Sequence, residues 1–180
     1  RLKFVSIFES NLDEFLMVRV GGLSDLAELK KQPVDNKSNM TASEQVDAVM
    51  AELPGLLTRW ESIFKSIEGK LDTLGVHRAR IDSLTPEERT FVTRYFQAYV
   101  SPVISPLVID PRHPFPNLRN GALYLACGLD GVTDEESLLG LIEIHASMNR
   151  VVEIPSPAGT YSYILLEDVI LACLDSCFGS

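Results

Sequence analysis

The side chains with the most chemical reach in this sequence are three histidines, two cysteines one helical turn apart and the adjacent carboxylates Asp13 and Glu14. None of His77, His113 and His145 has a sequence neighbour that nominates a catalytic triad, and no Gly-x-Ser-x-Gly elbow is present. His113 sits between prolines in Pro111-Arg112-His113-Pro114, where an imidazole could shuttle a proton, contact a phosphate or simply stabilise a turn. His145 follows an apolar run and reads as a strand-end residue. Cys173 and Cys177 could put two thiolates on one helical face beside a metal, but no histidine lies near them, and small buried apolar side chains are the simpler account. Asp13 and Glu14 could serve acid–base chemistry or hold a cation, yet at a helix start two carboxylates also answer the positive end of the helix dipole.

Phosphate chemistry has no ready-made cradle. Gly21-Gly22 is followed by neither a lysine nor a further glycine at the spacing of a phosphate loop. The formal charge of -9 opposes unassisted binding to nucleic acid or to an anionic membrane surface, which need clustered lysine and arginine. Neither a membrane-length apolar stretch nor the pattern of a signal peptide is present, and the odd cysteine count does not suit a secreted disulfide framework. These features predict a cytoplasmic protein without direct membrane insertion.

The elements that must position any such chemistry follow from apolar spacing. Leu2, Val5, Phe8, Leu12, Phe15, Leu16, Val20, Leu23 and Leu26 recur at helical intervals. Ser10 and Asn11, followed by Asp13 and Glu14, look like a cap, which predicts two short helices meeting near Asn11. Residues 32–39 read as a loop. Thr41 and Glu44 form a capping box ahead of a long helix carrying Val46, Val49, Met50, Leu53, Leu57, Trp60, Ile63, Phe64, Ile67 and Leu71 inward. Pro54 should kink or restart that helix, and Gly75 should stop it. Trp60, at core spacing, reads as packing and not as a ligand platform.

Beyond residue 75 the texture changes. Residues 76–81 suggest a short strand, Thr85-Pro86 with Glu88 opens another helix, and prolines from Pro102 to Pro116 disfavour regular structure. Residues 121–129, 138–144, 150–154 and 161–166 read as strands of one small sheet, and residues 166–178 as a closing helix with Val169, Ile170, Cys173, Leu174 and Cys177 inward. The expected class is α+β, with a helical domain over residues 1–75 and a small mixed α+β head over 76–180.

One stretch carries a specific resemblance. Arg1 to Val20, with the phrase Ser10-Asn11-Leu12-Asp13-Glu14-Phe15, resembles the start of the polyphosphate kinases that act through a phosphohistidine. Further similarities follow in family order: residues 84–99, Ser105-Pro106-Leu107 ahead of Asp110-Pro111-Arg112-His113-Pro114-Phe115-Pro116, and Leu165-Leu166-Glu167-Asp168-Val169-Ile170. The resemblance implies an N-terminal domain and part of a head domain from an enzyme that moves the terminal phosphoryl group of ATP reversibly onto polyphosphate, with Mg2+ bound by domains absent from this chain. It also implies a homodimer in the full-length form, an ATP contact at Asn11, and no catalytic or metal-binding residue in this piece, which alone should be inactive. A carboxamide suits a purine edge because it offers both a donor and an acceptor. The sequence also begins at Arg1 without the Trp-Leu-Ser-Phe-Asn phrase usual before this region, and so reads as a fragment. A non-catalytic binding or assembly module that shares the fold stays open as the alternative.

Overall fold

The computed structural model describes residues 1–110, 112, 114–130 and 137–178. The chain divides into two compact units, Arg1–Thr73 and Leu74–Ser180.

In the first unit, α1 (Leu2–Glu14) passes through a π-helical segment (Phe15–Val20) directly into α2 (Gly21–Ala27). The expected break at Asn11 is absent. The inward residues Val5, Leu12 and Leu16 keep their helical interval across it, so packing favours continuation. Ser10 caps nothing: its hydroxyl donates to the Ser6 carbonyl at 3.1 Å, a bond that a serine inside a helix can make. Asp13 and Glu14 therefore sit in the last turn of α1, away from the positive end of its dipole. The wider π turn adjusts the helical register, and Val20 and Leu23 are each only 5% exposed.

The long helix α3 (Ala42–Thr73) opens on the capping box expected at Thr41. The Thr41 amide donates to Glu44 Oε2 at 2.7 Å and the Glu44 amide to Thr41 Oγ1 at 3.3 Å. The helix does not restart at Pro54. Proline removes the bond to the carbonyl four residues back, that of Met50, but Met50 is exposed and water can solvate the freed oxygen. The helices α1 and α2 both pack on α3. Two covering helices do not hide the whole predicted stripe: Met50, Leu57 and Ile63 are exposed, as are Leu2, Phe15 and Leu26 on the covering side.

The second unit holds two three-stranded sheets where one was expected. In the first, β6 (Tyr161–Leu165) lies between β1 (Val76–Arg78), parallel to it, and β5 (Val151–Ile154), antiparallel. In the second, β4 (Ser137–Ile144) pairs antiparallel with β2 (Leu107–Ile109) and β3 (Leu123–Asp130). Strand β2 hides in the sequence between Pro106 and Asp110-Pro111, and it occupies a sheet edge, where flanking prolines are tolerated.

Helix α4 (Pro86–Tyr95) begins with the expected box between Thr85 and Glu88 and continues as a π turn (Phe96–Val100). It buries Val92, Phe96 and Val100 against Ile142 of β4, Val152 and Ile154 of β5, Ile164 of β6, and Leu166, Val169 and Ile170 of α5 (Leu166–Ala172). The closing helix is shorter than expected. It stops at Ala172, and a 3-10 turn (Leu174–Ser176) carries the chain on to Cys177 and Phe178.

Candidate functional site

Asn11 lies in the interior of α1 and is exposed. Its carboxamide has no hydrogen-bond partner among the described residues. At helical spacing, Phe4, Ile7 and Phe15 share its face, and all three are exposed, Phe4 by 76%. A donor–acceptor pair thus stands in the middle of an apolar, solvent-facing ridge. A carboxamide there offers both a donor and an acceptor to a polar edge.

A groove of about 700 Å³ lies between α1 and α3. Phe4, Phe8, Trp60 and Ile63 line it, with Arg1 and Arg59 among its polar members; Asn11 does not line it. Trp60 stacks on Phe64 with ring centroids 5.5 Å apart and planes inclined by 4°, and its indole N–H donates to the Val5 carbonyl at 3.3 Å. Trp60 therefore ties α1 to α3, in keeping with the packing role its spacing predicts.

The other candidate side chains are scattered. His77 is half-buried on β1, beside Ser162 of β6. His145 directly follows β4, with Nδ1 2.7 Å from the Ser147 hydroxyl. His113 lies outside the described residues. Cys173 is buried and Cys177 half-buried, and desolvation raises the pKa of both thiols, which suits inert packing better than thiolate chemistry. Among the described residues no group of three or more His, Cys, Asp or Glu is arranged to hold a metal ion. Asp13 and Glu14 are exposed neighbours on one helical turn, an arrangement that does not by itself fit a site for Mg2+.

Comparison with known proteins decides the family. The model of the polyphosphate kinase N-terminal domain matches residues 1–79, and that of the polyphosphate kinase middle domain matches residues 87–180. The chain belongs to the polyphosphate kinase family. It is 38% identical over 175 residues to a polyphosphate kinase of Bacillus cereus, covering 94% of this chain and 25% of that protein. A polyphosphate kinase of Thermosynechococcus vestitus is 35% identical over 184 residues, covering 99% of this chain and 25% of that one. Among solved structures, the crystal structure of polyphosphate kinase from Porphyromonas gingivalis superposes with a TM-score of 0.79 at 27% identity, covering 99% of this chain and 26% of that one. The chain thus spans about a quarter of the length of the curated relatives it matches. Its helical first unit and sheet-containing second unit are the N-terminal and middle domains of that family.

What sequence reasoning missed is the apolar ridge around Asn11. The signal lies in Phe4 and Ile7, outside the predicted inward stripe, but their spacing alone does not separate an unpartnered face from a buried one.

Proposed function

We propose that this chain is the N-terminal part of an ATP:polyphosphate phosphotransferase. Residues 1–75 form a helical domain that presents Asn11 to the adenine of ATP, and residues 76–180 form a head domain that serves assembly of a homodimer in the cytoplasm. In the full enzyme the bond between the β–γ bridging oxygen and the γ-phosphorus of ATP breaks. The phosphoryl group passes through a phosphohistidine to the terminal oxygen of polyphosphate, leaving ADP, and the sequence of steps runs in reverse to make ATP. Phosphoryl transfer needs positioning and charge neutralisation above all. The nucleophile, the cationic channel and the Mg2+ ligands belong to the rest of the enzyme, and no step is assigned to magnesium through residues of this chain.

The observation that carries the reading is the state of Asn11: an exposed, unengaged carboxamide inside α1, flanked by exposed apolar side chains. Capping does not account for it, because α1 starts at Leu2. The test is Asn11→Ala in the full-length enzyme. Loss of neutral hydrogen bonds to a base edge costs about 0.5–1.5 kcal/mol, so the Michaelis constant for ATP should rise several-fold, while the turnover number and melting temperature stay near the parent values. GTP, whose base edge differs, should be less affected. A Michaelis constant for ATP that does not move would remove Asn11 from the nucleotide site.

A further inference from the structure

A second cavity, of about 410 Å³, opens in the sheet-containing unit at the end of the β3–β4 pair, where the turn before β3 meets the segment after β4. Among the described residues, its charged and titratable lining consists of Arg119, His145 and Arg150, with no carboxylate. In a chain of net charge -9, a concave surface whose permanently charged lining is two arginines is against the overall trend.

The two guanidinium groups are held from outside the cavity. Arg119 reaches Glu143 through one terminal nitrogen, and its backbone amide donates to the Tyr124 hydroxyl at 3.1 Å. Arg150 grips Glu167 with Nε 3.1 Å and a terminal nitrogen 2.6 Å from Oε1. Neither Glu143 nor Glu167 lines this cavity, although Glu143 lines an adjoining one that shares Arg119 and His145 with it. A guanidinium carries five N–H donors, more than its contacts with Glu143 and Tyr124 require of Arg119. Around them the lining continues with Asn120 and with Gly121, which sits at φ +71°. The arrangement is a preorganised, planar-donor site of the kind that recognises phosphate oxygens.

We propose that this cavity is an accessory anion site of the middle domain that takes phosphate groups of the polyphosphate chain. The assignment of the polymer as occupant rests on the phosphotransferase reading; the anion chemistry does not. A repeating polyanion brings several adjacent oxyanions to two arginines and an imidazole, whereas the three phosphates of one nucleotide are already committed to the reacting centre.

The test is titration of the full-length protein with long-chain polyphosphate, tripolyphosphate and ATP. The variants are Arg119→Gln and Arg150→Gln, together with Asn120→Asp and Ala146→Glu, which place a carboxylate in the lining and leave both ion pairs intact. Each of the four should weaken long-chain polyphosphate binding about three- to tenfold, the range for losing or opposing one charge-assisted contact at a solvent-accessible site. The Michaelis constant for ATP is the control arm. Unchanged polyphosphate affinity in Asn120→Asp and Ala146→Glu would overturn the proposal, as would a parent protein that binds no polyphosphate. Weakening confined to ATP would assign the cavity to nucleotide phosphates and overturn the polymer. A parent protein that binds polyphosphate but transfers no phosphate would sink the phosphotransferase reading alone.

Discussion

At Gly140, in the middle of β4, a methyl group would stand 2.6 Å from the ring tip of Phe178 and 2.8 Å from the Cys127 sulfur. No positive φ is involved, so the requirement for glycine is one of space: the aromatic ring near the end of the described chain and the sulfur of the paired strand β3 fill the place a side chain would take. Overpacking of this kind costs about 1–3 kcal/mol. Gly140→Ala should therefore lower the melting temperature, and the loss should shrink in a Phe178→Ala background, where the ring no longer resists. Equal losses in both backgrounds would place the strain at Cys127 instead. Asn11 teaches a different lesson at this scale. The run Ser-Asn-Leu-Asp-Glu has the composition of a helix start, yet a cap is chosen only where the backbone ends, and the inward stripe through Val5, Leu12 and Leu16 keeps the backbone helical past it.

Helix starts are where the elements of this protein were most legible, because a capping box is complete within four residues of sequence. At α4, Thr85 Oγ1 accepts from the Glu88 amide at 3.2 Å and the Thr85 amide donates to Glu88 Oε2 at 2.8 Å. Thr85→Ala should cost about 1 kcal/mol in thermal melts, and no loss would mean that helix α4 is held by its buried face alone. The Thr41 box adds a pH dependence. The Thr41 amide and then its hydroxyl hold the Glu44 carboxyl below its ordinary value of 4.5. A depressed folded pKa contributes stability that is present above the ordinary glutamate range and lost as pH falls through the folded value. Acid titration of stability should thus show a smaller loss below that range in Glu44→Gln than in the parent, and superimposable acid limbs would deny the box any role. Pairing between distant strands left no comparable local mark. Nothing near residues 107–109 announces that Leu107 lies opposite Leu141, or that the strands divide between two sheets. The π segments at residues 15–20 and 96–100 are likewise register adjustments set by packing and have no residue signature of their own.

On the scale of the whole molecule, what this chain contains limits what it can do alone. Transfer of a phosphoryl group through histidine needs an imidazole nitrogen in line with the γ-phosphorus and cations around the equatorial oxygens. His77 is half-buried on β1, and His145 has Nδ1 engaged with Ser147. The net charge of -9 supplies no general attraction for a triphosphate, and the local cations at Arg119 and Arg150 sit in a cavity whose imidazole is that same His145. The matched relatives are about four times as long as this chain. Residues 1–180 incubated with γ-labelled ATP should stay unlabelled, while on the proposed reading the full-length enzyme takes up an acid-labile label. On the proposed reading Asn11 holds the base in residues 1–180 as well, so nucleotide binding without labelling is the pattern expected of a positioning domain. Stable label on His77, His113 or His145 would move the nucleophile into this chain and overturn the division of labour between these domains and the rest of the enzyme.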